Sequence, residues 1–300
     1  MEISQPEGVW APALTAFTYR FEVDTRGTIS RLHWLLQNGC NGVVVFGTTS
    51  EANSLSAVER LHFLNEAVSS GIDPGRILVG TGCCSLPDTV DLTRQAVRLG
   101  CAGVLMLPPF YYKAVTDDGL FLYFAQLIDA IADDRARIYL YHIPPISQVP
   151  FSLALIEKLI RSFPEIVVGI KDSSGDWEHT KQLIERFAGS GFRIFPGSEK
   201  YLLPAVQTGG KGCIAALANV ASPVLQEVYR RRQSSKADEY QAEVDRRSAI
   251  VRKYPIIPAL KSIVAEETKE PAWRNVRPPL VPLSVAQGET LIGEWREVDR

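Results

Sequence analysis

Eight short apolar runs recur along the chain, and their spacing constrains its fold more than any other feature. Successive runs begin about 20 to 35 residues apart, which leaves room for a strand, a helix and two loops in each repeat. The runs are GVWAPALTAF (8–17), GVVVFGTTSE (42–51), RILVGTG (76–82), GVLMLPP (103–109), RIYLYHIPP (137–145), IVVGIKDSS (166–174), FRIFPGSE (192–199) and GCIAALAN (212–219).

The composition of the runs favours a parallel sheet. They are apolar at nearly every position rather than at alternate ones, as in strands that are buried on both faces. The segments between them have the periodicity of amphipathic helices, for example SAVERLHFLNEAVSS and WEHTKQLIERFAG. Eight such units predict an α/β fold of the (β/α)8 TIM barrel type, with an open doubly wound sheet as the alternative.

The last part of the chain exceeds what one closing helix requires. We expect residues 1–220 to form the barrel core and residues 221–300 to form helices that complete it and pack on it as one structural unit. Residues 221–264 have a helical pattern, four prolines lie between 271 and 282, and a terminal helix is expected over Ala286–Val298.

Composition excludes several classes of function. The net charge of −2 and the absence of a long basic run argue against nucleic-acid binding, and no apolar run is long enough to span a membrane. The first residues, MEISQPEG, lack the pattern of a signal peptide, and the five cysteines read as reduced thiols. We therefore expect a cytoplasmic protein.

Lys171 stands at the end of a run that reads as a fully buried strand, VVGIKDSSGD (167–176). An unpaired ammonium is costly to bury, so two interpretations are open. In one, Lys171 forms a salt bridge with Glu199 or Asp172. In the other, burial favours the neutral amine, which attacks a carbonyl carbon to form an imine. Tyr141 ends the preceding strand at the same level and could move the protons that this reaction requires.

Hydroxyl and charged side chains follow the other runs, where parallel strands of a barrel present their active sites. Thr48 and Thr49 follow the second run, and we expect Ser50 or Ser54 to cap the next helix. The four histidines are scattered without a metal-ligand spacing, so we predict no metal. The two glycine-rich stretches, residues 80–85 and 209–212, do not match a nucleotide-binding pattern, so we predict no nucleotide cofactor.

Taken together, four motifs resemble the dihydrodipicolinate synthase / N-acetylneuraminate lyase family of pyruvate-dependent class I aldolases. GTTSE (47–51) is similar to the family's GTTGE, and YHIP (141–144) to its YN[IV]P, with His142 replacing asparagine. GIKDSSG (169–175) resembles the strand that carries the imine-forming lysine, and GGKGCIAALAN (209–219) resembles the eighth strand. The resemblance runs from the first apolar run to PIIPALKSIV (255–264).

The resemblance implies a role for each matching residue. Lys171 would form the imine with a 2-oxo acid, without any other cofactor. Tyr141 would be the acid and base, and Thr48 would relay protons to a tyrosine from a neighbouring subunit. That tyrosine is matched by Tyr112, with Tyr111 as the alternative, so the chain would form a homo-oligomer, commonly a dimer of dimers. The residues expected to bind substrate are Thr48, Thr49, Ile214, Ser173, Gly197, Glu199 and Lys200.

One departure bears on the substrate. Dihydrodipicolinate synthases of the family carry an arginine where this chain has Ile146, and an aliphatic side chain cannot hold a carboxylate. We therefore expect a lyase acting on a 2-keto-3-deoxy sugar acid or a 4-hydroxy-2-oxo acid, releasing or using pyruvate. The alternatives are a condensation like that of dihydrodipicolinate synthase, a dehydratase of 2-keto-3-deoxy acids and a non-catalytic sensor of 2-oxo acids.

Overall fold

The computed structural model describes residues 5–298 and has eight parallel strands at its centre. Their order is β7-β6-β5-β4-β3-β2-β1-β8, and the Lys211 N–H donates to the Ile194 carbonyl at 3.0 Å across the remaining gap between β7 and β8. The predicted TIM barrel is confirmed, and the open doubly wound alternative is wrong. The strands are β1 (Gly8–Pro12), β2 (Gly42–Val45), β3 (Ile77–Gly80), β4 (Gly103–Met106), β5 (Ile138–His142), β6 (Val167–Asp172), β7 (Arg193–Pro196) and β8 (Gly212–Ile214).

Helices surround the barrel and bury the apolar faces that their sequence periodicity predicts. In α6, for example, the Ser152 side chain accepts from the Leu155 N–H at 3.0 Å and caps the helix, while Leu155, Ile156 and Leu159 are buried. The helices are α1 (Thr25–Gln37), α2 (Ala57–Ser69), α3 (Leu86–Arg98), α4 (Asp117–Ile131), α5 (Pro144–Ser147), α6 (Leu153–Ser162), α7 (Trp177–Phe187), α8 (Leu202–Thr208), α9 (Ala218–Arg230), α10 (Ala237–Val251), α11 (Ile256–Thr268) and α12 (Val285–Val298).

Large side chains fill the barrel interior and define the floor of its open end. Trp10, Tyr139, Tyr141 and Phe195 belong to one buried cluster, separate from the larger core between strands and helices. The Tyr139 ring lies across Gly169, where a Cβ atom would come within 2.5 Å of the ring. Glycine at this position therefore lets the aromatic layer close the barrel below the level of Lys171.

The C-terminal helices pack on the barrel rather than forming a separate body. The boundary expected at residue 220 falls inside α9, which packs against β1 as the eighth helix of the barrel. After it, α10 packs against the turn Glu199–Tyr201, and α12 packs against α10 and α11. The five cysteines are free. In residues 5–298 no helix has both the length and the apolar character needed to cross a membrane.

Candidate active site

Lys171, Tyr141 and Thr48 meet at the carboxyl end of the barrel. Strands β5 and β6 pair Tyr141 with Lys171, and both side chains are buried. The Lys171 Nζ lies 3.4 Å from the Tyr141 hydroxyl and 4.4 Å from the centre of its ring. The Tyr141 hydroxyl lies 3.2 Å from the Thr48 Oγ1. An amine and two hydroxyls thus form a continuous line along which protons can move.

The salt-bridge interpretation of Lys171 is wrong for the part of the chain that the structure describes. No carboxylate lies within ion-pair distance of its Nζ among residues 5–298. Asp172 faces the opposite side of β6 and accepts hydrogen bonds from Ser174. Glu199 is buried against α10, where its carboxylate is bound by Ser248 and, at 2.9 Å, by Arg252. The amine is therefore left with Tyr141 as its hydrogen-bonding partner.

The loop after β2 is held by hydrogen bonds from below. The Ser50 hydroxyl donates to the Ala13 carbonyl at 2.6 Å, and the Thr15 hydroxyl donates to the Ser50 carbonyl at 2.8 Å. The expectation that Ser50 or Ser54 caps the next helix is wrong. Ser56 caps α2 instead, in a reciprocal capping box with Glu59. Ser50 is thus free to fix the loop that carries Thr48.

A fully buried ion pair anchors the same loop, and the sequence pattern did not predict it. Glu51 adopts a left-handed backbone conformation (φ 58°), and its carboxylate pairs with Lys261 of α11. The Lys261 Nζ also donates to the Asn275 carbonyl at 2.7 Å, and the Arg277 N–H donates to Glu51 at 2.8 Å. Burial lowers the pKa of Lys261 to about 8, although the Glu51 charge opposes this shift. The C-terminal part of the chain therefore holds the residue at the end of the loop that carries Thr48 and Thr49.

The candidate tyrosines of the neighbouring subunit lie side by side on the surface. Tyr111 and Tyr112 are each 74% exposed, and their ring centres lie 5.3 Å apart. The Lys113 Nζ donates to the Ser147 carbonyl at 2.7 Å, which ties this loop to α5. The single chain does not bring either tyrosine to Lys171, so the choice between them stays a prediction.

The remaining predicted residues divide into two groups. Ile214 is buried in the barrel interior, and the Ser173 hydroxyl lies against Gly197, where a Cβ atom would come within 1.9 Å of it. These residues surround the open end of the barrel. Glu199 faces α10 as described, and Lys200 is exposed, with its Nζ 5.8 Å from the centre of the Tyr201 ring. The structure thus gives no support to these two as substrate ligands.

Two of the supposedly scattered histidines come together beside the site. His142, Asp172 and His179, which we call the outer cluster, place their ligand atoms within 4.8 Å of one another. The two imidazole rings are stacked, with centres 4.6 Å apart. The sequence signal was present, because His142 and Asp172 directly follow Tyr141 and Lys171, and His179 lies seven residues after Asp172, in the first turn of α7.

Cavity size does not identify the site. A cleft of about 820 Å³ lies between α1 and residues 267–273, and one of about 770 Å³ lies at the amino end of the barrel. Both are remote from Lys171. A small pocket of about 10 Å³ lies beside Thr48 and Tyr141, so the chemistry of the side chains, and not cavity size, identifies the site.

The dihydrodipicolinate synthetase family model matches residues 5–292. An uncharacterized DapA-like lyase from Chloroflexus aurantiacus is 35% identical over 284 residues, which is 94% of this chain and 93% of the relative. The crystal structure of dihydrodipicolinate synthase from Agrobacterium tumefaciens is 33% identical, has a TM-score of 0.90 and covers 98% of this chain and 100% of that one. YagE of Escherichia coli, solved in complex with pyruvate, is 25% identical with a TM-score of 0.87, and the match covers 98% of each chain. These relatives support the predicted lyase class, and the chain belongs to the dihydrodipicolinate synthetase family.

Proposed function

We propose that this protein is a class I lyase that binds a 2-oxo acid as an imine on Lys171 and releases or uses pyruvate. The observation that carries the proposal is the line from the Lys171 amine through the Tyr141 hydroxyl to the Thr48 hydroxyl, with gaps of 3.4 and 3.2 Å. The complex of YagE with pyruvate supports a substrate of this class. No other cofactor is required, because the protonated imine itself withdraws electrons from the neighbouring carbon.

In the proposed cycle the Tyr141 hydroxyl donates and accepts protons in turn. The Lys171 Nζ attacks the 2-oxo carbon, and the carbonyl oxygen takes one proton from Tyr141 and one from the Nζ, so that it leaves as water and gives the iminium beside the Tyr141 phenolate. The C4 hydroxyl gives its proton to this phenolate, which is hydrogen-bonded to Thr48, the C3–C4 bond breaks, and its electron pair moves into the iminium to form an enamine. Tyr141 returns the proton to C3, and water hydrolyses the iminium with loss of one proton to the Tyr141 phenolate, which frees pyruvate and Lys171.

The loop of Thr48 and Thr49 is suited to the substrate carboxylate. Thr49 is buried beside Thr48, and the loop is fixed by Ser50 and by the Glu51–Lys261 pair. A fixed loop of hydroxyls and backbone N–H groups binds an anion without a large loss of conformational entropy on binding. We propose that it orients the carboxylate next to the imine, with Ile214 closing the apolar side.

The aldehyde that is released, or used in the reverse direction, is expected to be a hydroxyaldehyde or another small aldehyde. Ile146 is 62% exposed at the rim and cannot bind a carboxylate, while Ser173 offers a hydroxyl between β6 and β7. This favours cleavage of 2-keto-3-deoxy sugar acids or 4-hydroxy-2-oxo acids. Condensation of pyruvate with aspartate semialdehyde is the second candidate, because relatives such as the enzyme of Methanococcoides burtonii are named 4-hydroxy-tetrahydrodipicolinate synthase.

The proposal includes a homo-oligomer, as a dimer of dimers. Tyr111, Tyr112, Val115 and Ile146 form an apolar rim on the exposed surface beside the site. A contiguous surface of this kind is typical of an interface. Pairing two copies through this rim would bring a tyrosine of one subunit to the Thr48 hydroxyl of the other.

Borohydride reduction in the presence of pyruvate tests the proposed reaction class. The wild-type protein should gain one reduced pyruvyl group per chain, and peptide mapping should locate it on Lys171, because this amine is buried beside Tyr141 and lacks a carboxylate partner in residues 5–298. Intact mass measures the adduct, and omission of pyruvate is the control. A folded protein without an adduct would contradict the proposal.

Replacing Tyr141 by phenylalanine should lower the rate of adduct formation by about 100- to 10,000-fold, which is the usual contribution of a positioned acid or base. Tyr139 provides the matched control. It lies two residues earlier on the same strand, is buried in the same interior cluster and is not hydrogen-bonded to Lys171. Tyr139→Phe should therefore react within about threefold of wild type. Equal rates for Tyr141→Phe and wild type would remove Tyr141 from the mechanism.

A further inference from the structure

The outer cluster lies directly behind the proposed catalytic pair. Strands β5 and β6 pair Tyr141 with Lys171 and, one residue later, His142 with Asp172. Successive side chains of a strand point to opposite faces. The first pair therefore faces the barrel interior and the second faces α7, which carries His179. Asp172 of the outer cluster is therefore joined directly to Lys171 through the backbone of β6.

The Asp172 carboxylate is the centre of the cluster. It is buried and accepts from the Thr180 hydroxyl at 2.6 Å, from the His179 Nδ1 at 3.2 Å and from the Ser174 hydroxyl at 3.1 Å. The Ser174 N–H donates to its other oxygen at 3.0 Å. Burial alone would raise the pKa of Asp172, but the hydrogen bonds from His179 and Thr180 lower it below its usual value. The carboxylate thus ties β6, α7 and the turn after Lys171 together.

The two imidazoles of the cluster differ in their affinity for a proton. The His142 Nδ1 accepts from the Phe151 N–H at 3.1 Å, and burial lowers the pKa of His142 to about 4. The hydrogen bond to Asp172 raises the pKa of His179. Because only His179 favours the proton, the stacked rings avoid the repulsion of two cations. The other charged group of the described residues that acts on His179 is Asp176, the N-cap of α7.

A metal ion is a poor fit to the same residues. Both oxygens of Asp172 and the Nδ1 of His142 already have hydrogen-bonding partners. The two rings are within 16° of parallel, and the lone pairs of imidazole nitrogens lie in the ring planes. Their lone pairs therefore run side by side and do not converge on one point, as a metal site requires.

We propose that Asp172 and His179 are positioning residues that hold the Lys171 amine and the Ser173–Ser174 turn in place from behind β6, with His142 supporting His179 by stacking. This inference rests on the proposed function of Lys171. The contact between Nζ and the Tyr141 hydroxyl is 3.4 Å, which is long for a hydrogen bond, so it does little to fix the amine. A misplacement of about 1 Å at a reacting group can cost about 100-fold in rate.

Four variants separate positioning from general stability. Asp172→Asn removes the charge, and His179→Phe keeps an aromatic ring but removes the donor. His179→Asn restores a donor, because its side-chain amide nitrogen can occupy the place of Nδ1. Asp176→Asn is the matched control, since it removes one charge from the same turn and asparagine caps helices as well as aspartate. The readouts are the rate of borohydride-trapped adduct formation with pyruvate, the KM for pyruvate and Tm.

We expect Asp172→Asn and His179→Phe to slow adduct formation by about 10- to 100-fold with KM changed less than about threefold. His179→Asn and Asp176→Asn should stay within about threefold of wild type. If Asp172→Asn does not fold, the test depends on the two His179 variants. The His179 side chain is 22% exposed, so its replacement disturbs the fold less. Equal loss in His179→Asn and His179→Phe, or no loss in either, would overturn the inference.

The wild-type measurement separates this inference from the proposed function. A wild-type protein without an adduct overturns the imine mechanism and the positioning role together, whereas an adduct that forms at the same rate in all variants overturns the positioning role alone. NMR titration of the histidine Cε1–H signals is an independent check. As the pH is lowered, the His142 imidazole should stay neutral, and its signal unshifted, down to about pH 4. Titration of His142 near its ordinary pKa, or stoichiometric binding of Zn²⁺ at the cluster, would contradict the arrangement.

Discussion

Replacing Lys171 by methionine is expected to abolish the reduced pyruvyl adduct and to lower turnover by about three orders of magnitude or more. Methionine has a similar length and is apolar, so it can occupy the buried position at the end of β6 without leaving a cavity. The loss would therefore be chemical. Without the amine there is no imine, and the electrons of the breaking bond have no acceptor.

Lys200→Met is the matched control for this substitution. Lys200 follows β7 at the same end of the barrel but is exposed, with its Nζ beside the Tyr201 ring. It should leave the adduct with pyruvate and Tm close to wild type. Turnover that survives in Lys171→Met, or an adduct that maps to another lysine in the wild-type protein, would move the reaction centre elsewhere. Tm and the circular dichroism spectrum of Lys171→Met establish that the fold is retained.

The proposed catalytic pair could be predicted because its position depends on local rules. A lysine and a tyrosine each end an apolar run, and parallel strands bring such ends to one level. The observed pairing of Tyr141 with Lys171 agrees with this reasoning. The barrel could be predicted for the same reason, since the period of strand and helix repeats eight times along the chain.

The parts that could not be predicted depend on distant partners or on backbone angles. Glu51 and Lys261 are 210 residues apart, and the apolar sequence around Lys261 does not indicate which residue is its buried partner. Glu199 follows β7 as a substrate ligand would, but the short turn that it begins directs its carboxylate to Ser248 and Arg252 of the C-terminal helices. To predict the outer cluster, one would need to know which face of β5 and β6 each side chain occupies and also where α7 begins.

The second large effect is expected at the buried pair of Glu51 and Lys261. Both side chains are fully buried, and the Lys261 Nζ also lies 4.4 Å from the centre of the Phe17 ring. Lys261→Met removes the cation and leaves the Glu51 carboxylate buried with the Arg277 N–H as its remaining donor. Breaking such a pair from one side usually costs about 3–5 kcal/mol in the free energy of unfolding. The adduct rate should fall as well, because Glu51 follows the loop of Thr48 and Thr49.

Urea unfolding at one fixed protein concentration measures this cost, and a double variant shows its origin. Glu51→Gln together with Lys261→Met should regain part of the lost stability, because the buried charge is then gone and an amide can still accept from the Arg277 N–H. Lys253→Met, which breaks the exposed pair with Glu294, should change stability little. If Lys261→Met is as mild as Lys253→Met, the C-terminal helices do not anchor the Thr48 loop. If the double variant regains stability but not the adduct rate, the ion pair is retained for the geometry of the site rather than for the stability of the fold.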